Sequence, residues 1–388
     1  LRLDSRGLDI PSLRALAAPF IPADFAGWDL GGTIDLSLAA RRPAGTRGDW
    51  GFSGTVSLAG AKFNDPSFTI AGEGLDPALE FEGTGSPSKG LSFSGSLDID
   101  HGESLWKSVY VAWDKHPLRL TAAGRYDPGS AGIDGLTARV QLPTIGEIDV
   151  TGEAKMVSPL SFDLRTEARL GLGPLYSLYT QAGVSEAARM KLEGTLGASL
   201  DVRKEGQALS VAGRVKLADT NVERPLAKTL LLGITADLPV HYESGLAGVP
   251  SASEAPLPEE GFLRIGEFQN PFLTLKAVNV ALRAGVNALG IEPLSLELFG
   301  GRLELGRTTF RFDPESGSFQ GAGSLVLHDI DVSRFPIQSP EFKLTGKVQA
   351  EFPRLDISPK EIAISGRGEA SVFGGKIADG VRKDDAYG

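Results

Sequence analysis

The sequence predicts an all-β, mainly antiparallel protein with a few short helices. Three observations carry this. First, a phrase of apolar residue, any residue, glycine, any residue, apolar residue keeps returning. It stands at Phe52-Ser53-Gly54-Thr55-Val56, Phe93-Ser94-Gly95-Ser96-Leu97, Leu192-Glu193-Gly194-Thr195-Leu196, Val211-Ala212-Gly213-Arg214-Val215 and Leu344-Thr345-Gly346-Lys347-Val348, with looser copies at 150–154 and 364–368. Each copy sits where apolar and polar residues alternate, the period-2 signature of a strand with one apolar face. Second, glycine is abundant, 49 of 388 residues, without a Gly-X-Y period. Glycines spread through alternating text mark turns, bulges and close backbone approaches. Third, helical text is confined to three short pieces.

In chain order, residues 1–29 read as a short helical opening segment. Pro11-Ser12-Leu13-Arg14-Ala15-Leu16-Ala17 carries proline in a first helical turn, and Pro19 and Pro22 stop it. Residues 30–247 read as the N-terminal part of a β-structure, starting with the alternation Gly32-Thr33-Ile34-Asp35-Leu36-Ser37-Leu38. About ten strands are expected up to Leu170, broken by clusters such as Asn64-Asp65-Pro66 and Asp127-Pro128-Gly129-Ser130. Gly173-Pro174-Leu175-Tyr176-Ser177-Leu178-Tyr179 reads as a second short helix. Pro225–Leu231 fits either a third helix or a buried strand, since so short a run has no decisive period. Residues 248–261, rich in Pro, Ser, Ala and Glu, read as a loop and the best internal boundary. Strands return over 262–378, and 379–388 is a charged, frayed tail.

Leu296-Glu297-Leu298-Phe299-Gly300-Gly301-Arg302-Leu303 has an echo in Ala370-Ser371-Val372-Phe373-Gly374-Gly375-Lys376-Ile377. Paired glycines between two alternating stretches suit a tight hairpin turn or a bulge with positive φ. Alternation then continues through Leu303, Leu305, Phe310 and Phe312.

Composition excludes several classes. A net charge of −10 with no basic stripe argues against nucleic acid as a partner. The absence of cysteine removes disulfides, thiolate metal sites and thiol nucleophiles. No stretch approaches the ~20 apolar residues of a membrane-spanning helix. The chain begins with Leu1 in structured text, as expected of a segment of a longer protein. His101, His116, His241 and His328 lack metal-pair spacing, and nucleophile-elbow, Walker and dinucleotide patterns are missing. His328 with Asp329 and Asp331 is the one cluster of chemical interest, and its plainer reading is a turn. Asp98/Asp100 and Asp329/Asp331 place two acids on one strand face, a calcium-compatible pattern that is more often a solvated face. Trp106 and Trp113 fit a sugar site less well than core packing or a groove edge. No enzyme activity, cofactor or metal is expected.

The apolar strand faces have two readings. In a sandwich, two sheets bury each other's apolar sides. In an elongated, curved sheet, the apolar face stays open as a hydrophobic groove for acyl chains. Alternation fits both. Scarce helical cover and monotonous strand type over most of the chain favour the second. The expected lining is Phe52, Val56, Phe93, Leu97, Val211, Val215, Leu294, Leu296, Leu298, Leu303, Leu305, Phe310 and Phe312.

Leu298-Phe299-Gly300-Gly301-Arg302-Leu303-Glu304-Leu305 resembles a motif of the AsmA-like superfamily, which includes TamB and YdbH. Gly321-Ala322-Gly323-Ser324-Leu325-Val326-Leu327, followed by Asp331-Val332-Ser333-Arg334-Phe335, is similar to that family's strand leading into a small helix. Pro22-Ala23-Asp24-Phe25-Ala26-Gly27 before Gly32-Thr33-Ile34-Asp35-Leu36 resembles its opening helix and first groove strand. The resemblance implies a taco-like β-groove in the cell envelope of a Gram-negative bacterium. It implies a periplasmic protein, inner-membrane anchored through an N-terminal helix that this chain lacks, and phospholipid transport between inner and outer membranes. Phospholipids and inner- and outer-membrane envelope proteins are the implied partners, and no catalytic residues carry over. The alternative is a scaffold or assembly factor for outer-membrane protein biogenesis, acting through an exposed strand edge. A β-solenoid adhesin or carbohydrate-binding protein would need asparagine ladders that are not visible.

Overall fold

The computed structural model describes residues 1–17, 27–42, 49–86, 89–107, 109–156, 159–180, 190–245, 257–314, 316–335, 342–343, 345–371 and 376–377. It is all-β and antiparallel, with two short α-helices among the described residues. Two compact units divide it, Leu1–Val211 and Ala212–Gly388. The division falls inside a strand, whereas the sequence reading put its internal break at 248–261. No described helix is long and apolar enough to cross a membrane.

Unit 1 contains β1 (Arg2–Asp9), β2 (Asp29–Arg41), β3 (Trp50–Asn64), β4 (Ile70–Leu75), β5 (Ala78–Ser86), β6 (Gly90–Ile99), β7 (Glu103–Trp106), β8 (Val109–Ala112), β9 (Leu118–Asp127), β10 (Gly132–Leu142), β11 (Gly146–Lys155), β12 (Ser161–Gly171) and β13 (Lys191–Glu205). They form one ladder, β1-β2-β3-β5-β6-β9-β10-β11-β12-β13, with β4-β7-β8 as a flap branching from β3. Among the described residues β1 pairs with β2 alone, so the ladder is not closed into a barrel. Bulges at Ser5/Leu8, Gly31/Thr33, Ala61/Phe63 and Ile133/Leu136 bend its strands. The two-sheet sandwich does not form in this unit.

Helix α1 (Ile10–Ala17) follows β1, and Asp9 caps it by accepting from Ser12 N at 3.0 Å and Ser12 Oγ at 2.8 Å. The expected opening helical segment is therefore corrected at Arg2–Asp9, which is a strand. Its charges, Arg2, Asp4 and Arg6, hide a short alternation that becomes decisive only beside β2. Pro19 and Pro22 lie outside the described residues. Helix α2 (Leu172–Thr180) matches the second expected helix and lies against β12, β13 and the flap strand β8. Buried Ala61, Leu75, Ala112, Ile145, Leu172 and Leu178 gather around these elements, so the core of unit 1 caps one end of its sheet.

Strand β14 (Ala208–Arg224) carries the division between units. Unit 2 continues with β15 (Thr229–Ser244), β16 (Glu259–Asn270), β17 (Leu273–Gly285), β18 (Ala288–Ile291), β19 (Leu294–Leu298), β20 (Gly301–Leu305), β21 (Thr308–Phe312), β22 (Phe319–Asp331), β23 (Phe342–Lys343), β24 (Lys347–Ile357), β25 (Ile362–Ser371) and β26 (Lys376–Ile377). Residues 225–228 form a turn leading into β15, so Pro225–Leu231 is neither helix nor wholly strand. The loop expected over 248–261 ends earlier, because Glu259 and Glu260 already pair in β16 with Ala284 and Arg283. Residues 246–256 and the 379–388 tail lie outside the described residues.

The Phe-Gly-Gly element is a two-residue hairpin turn. Leu298 pairs with Gly301, and the left-handed residues between them are Phe299 (φ 49°) and Gly300 (φ 75°). Positive φ thus falls on Phe299 and Gly300, not on the glycine pair. Gly301 is a strand residue whose Cβ would collide with the backbone of Asp329 at 2.6 Å. Phe299 packs edge-on against Phe335, centroids 5.0 Å apart, which offsets the strain of its backbone. The second copy, Val372 to Gly375, lies outside the described residues.

Candidate functional site

The registers of unit 1 turn the alternation of single strands into rows that cross the sheet. Leu36, Val56, Leu79, Leu97, Leu120, Val140, Ile148, Ala168 and Ala198 stand opposite one another in succession from β2 to β13. A second row runs Leu38, Gly54, Phe81, Gly95, Ala122, Ala138, Val150, Thr166 and Leu200. A third begins Ala40, Phe52, Gly83, Phe93 and Gly124. At ~4.8 Å per strand the first row has a contour of about 38 Å, and the three rows together span on the order of 500 Å². None of these side chains is buried; they are half-exposed, with Leu79 at 38%. A sandwich interior would bury them almost completely.

The first copy of the glycine phrase acquires a physical reason here. Phe52, Gly54 and Val56 point to one face, and the glycine lies under an aromatic ring from the next strand. A Cβ at Gly54 would meet Phe81 Cζ at 2.7 Å and Leu38 Cδ2 at 2.6 Å. Gly83 lies likewise under Phe52, and Gly124 under Phe93. Rings laid over strand glycines cover bare backbone and pin register.

The opposite face is polar. Ser37, Thr55, Glu80, Ser96, Thr121, Arg139, Asp149, Glu167 and Ser199 form its central row. Arg119–Asp98 at 3.2 Å, Arg139–Asp149 at 2.5 Å and Arg203 Nε–Asp163 at 2.9 Å pair across neighbouring strands. Hydrogen bonds donated to the Asp149 and Asp163 carboxylates hold the Arg139 and Arg203 guanidinium groups charged to higher pH than usual. Two depressions of unit 1, of about 630 and 510 Å³, open on this face, the first beside Arg139 and Asp149 and the second beside Arg2, Glu80 and Glu82. They are open valleys floored by Ser, Thr and Ala, whereas the apolar candidate site is an open surface.

In unit 2 the expected lining residues of the hairpin come together. Leu294 faces Leu305 and Leu296 faces Leu303; on the next strands stand Leu325 with Phe352, and Leu327 with Ala350. The step from Leu305 to Phe310 breaks period 2, and a bulge at Gly306–Arg307 absorbs it. Leu305 opposes Leu325 and Phe310 opposes Gly321, so five residues on one strand match four on the other. Phe310 and Phe312 therefore share the face of Leu303 and Leu305. Both rings pack on Phe319, at 6.3 and 6.2 Å. The face is closed around Leu282, Ala284 and Thr308, which are buried, and half-exposed over the hairpin.

Of the expected lining, Phe52, Val56, Phe93 and Leu97 fall in the rows of unit 1. Leu294, Leu296, Leu298, Leu303, Leu305, Phe310 and Phe312 fall on one face of unit 2. Val211 and Val215 are half-buried on β14; Phe312 is 45% exposed. Sequence reasoning missed Leu36, Leu79, Phe81, Leu120, Val140, Ile148, Leu325, Leu327 and Phe352. Their signal was the same alternation without the glycine phrase.

The acids flagged as a calcium pattern do structural work. Asp98 pairs with Arg119; Asp331 caps the 3-10 helix Val332–Arg334, accepting from Ser333 N at 2.9 Å and Ser333 Oγ at 2.6 Å, which keeps its carboxyl ionised below the usual range. His328 meets Glu304 at 3.5 Å, and Asp329 accepts from Gln349 at 3.1 Å. Trp113 donates to Ser104 Oγ at 3.0 Å while Trp106 is exposed, so the two do not form one platform. No group of three or more His, Asp or Glu residues able to hold a metal lies among the described residues. Compared with known proteins, the chain matches no family model, no curated protein and no solved structure.

Proposed function

We propose that this chain is a non-enzymatic lipid conduit of the AsmA-like kind, carrying phospholipid acyl chains across the periplasm between inner and outer membranes. The observation behind the reading is the set of apolar rows that cross unit 1 without a charge and without burial. Exposed apolar patches above a few hundred Å² mark interaction surfaces. Covering several hundred Å² of acyl chain at ~25 cal/mol per Å² yields many kcal/mol, with no directional bond to fix the lipid in place. A row of near-uniform side chains presents similar affinity at each step, so a bound tail slides with little resistance. Headgroups remain in water at the margin.

The alternative, an assembly factor that adds strands at an edge, has less to stand on. The β1 edge bears Arg2, Asp4 and Arg6 and is interrupted by a bulge, devices that discourage strand addition. Native mass spectrometry after gentle purification, with lipid extraction from the same sample, tests the proposal. Near-stoichiometric phospholipid supports it. A lipid-free protein that also fails to take up phospholipid from donor vesicles refutes it. Leu298→Asp and Val215→Asp are expected to block transfer while leaving the sheet folded.

A further inference from the structure

The capped end of unit 1 carries a second apolar feature, separate from the rows. Strands β3 and β4 are joined by a turn over 65–69, and β7 ends in a turn at 106–107. Ile70 pairs with Trp106, and Lys107 N donates to Thr69 O at 2.6 Å, so the two turns are tied side by side. Each presents a large aromatic: Phe68 is 69% exposed and Trp106 64%. Phe68 (φ 55°) and Lys107 (φ 56°) are both left-handed, a conformation that bulky residues adopt at a cost and keep only where the surroundings impose it.

Several polar groups of this tip bond to one another. The Asp65 carboxylate accepts from Ile70 N at 2.7 Å, Ser67 N at 3.3 Å, Thr69 Oγ1 at 3.1 Å and the Ser67 hydroxyl. Asp65 N donates to Ile70 O at 2.9 Å and Phe68 N to Asp65 O at 3.0 Å. Pro66 has no N–H. Among the groups exposed here are two large rings, the indole N–H of Trp106 and the Lys107 ammonium, neither polar group with a partner among the described residues, beside exposed Pro66, Ser67 and Thr69. Phe and Trp beside a long cation are the side chains that settle at headgroup depth. Glu73 and Glu103, which face each other further along β4 and β7, would be repelled by an anionic surface.

We propose that this aromatic tip is a membrane contact that seats Phe68 and Trp106 in the interface of a zwitterionic bilayer. It stands independently of the lipid-conduit reading, because none of its residues belongs to the apolar rows. The full chain mixed with phosphatidylcholine vesicles, some brominated in their acyl chains, tests it. Wild type is expected to co-sediment and its tryptophan fluorescence to be quenched. Trp106→Phe is expected to keep binding and to lose the share of quenching that Trp106 supplies, measured against Trp28→Phe, because Trp28 stacks on Phe63 beside the same turn with ring centroids 6.2 Å apart. Phe68→Ser and Trp106→Ser should each weaken partition about tenfold. Met156→Ser, just after β11 with 62% exposure, should leave it unchanged. Failure of wild type to bind, binding only to anionic vesicles, quenching in Trp106→Phe undiminished from wild type, or an equal loss in Met156→Ser would each overturn the proposal. Lipid co-purification is scored separately, so a conduit that does not dock at this tip is recognised as such.

Discussion

Gly54 on β3 and Phe81 on β5 face each other, and the ring tip stands where a side chain at position 54 would begin. The Cβ-to-Cζ separation would be 2.7 Å. Gly54→Ala is therefore expected to destabilise by ~1–3 kcal/mol through overpacking. Gly51→Ala, on the same strand, meets nothing closer than 3.8 Å and should be neutral or mildly stabilising. Urea unfolding of the two variants checks the difference; equal midpoints would refute the ring-over-glycine account.

A second relationship concerns the turn between β17 and β18. Asn287 is buried and left-handed (φ 51°), and its amide clamps β15, donating to Glu243 O at 2.8 Å and accepting from Glu243 N at 2.9 Å. Asn287→Ala leaves both backbone groups without that partner and keeps the unfavourable φ, so a loss of ~2–3 kcal/mol is expected. Asn287→Gly relieves φ alone and should recover part of it. If the two variants were equally stable, backbone strain would have no share in the effect.

Asp65 supplies a pH prediction. Donation from Ile70 N and the Ser67 hydroxyl lowers its pKa from 3.8 to about 2. A depressed carboxyl contributes stability in full above its ordinary pKa and loses it as pH falls through the folded value. The melting-temperature gap between wild type and Asp65→Asn should be widest near neutrality, narrow below about pH 4 and close by about pH 2. A gap independent of pH would show that the charge has no part in the turn.

The apolar rows predict a face-specific effect. Leu97 lies in the central row, while Ser96 points to the other side of the same strand. Leu97→Asp is half-exposed, so the sheet should survive, but a carboxylate in the path of an acyl chain is costly. Lipid transfer between vesicles is expected to fall about tenfold, whereas Ser96→Asp should transfer at the wild-type rate. Equal rates for both would remove the apolar face from the mechanism.

Much of the architecture was legible because alternation is local. Phe52-x-Gly54-x-Val56 announces a strand and its apolar side without reference to any neighbour. Pro11 and Pro174 mark helix starts within one turn of chain. What escaped depended on partners. Arg2–Asp9 carries too many charges to read as a strand until β2 stands beside it. Gly301 looked like half of a turn, yet its reason is the backbone of His328 and Asp329 on the neighbouring strand β22. Phe310 reads as continuing the alternation of Leu305, but the five-residue step keeps it on that face only because a bulge at Gly306–Arg307 intervenes. Leu79, Phe81, Leu120 and Ile148 belong to the same face as the expected lining, but only register assembles them into rows.

The chain by itself thus determined which residues share a side of each strand, since a pleated backbone sends successive side chains to opposite faces. Tertiary structure decided which strands are neighbours and in what register. Those choices join residues far apart in sequence and set which ring covers which glycine, whether the apolar side is buried or left open, and which turns meet at a tip. Each is a contact between segments, and no single segment's periodicity contains it.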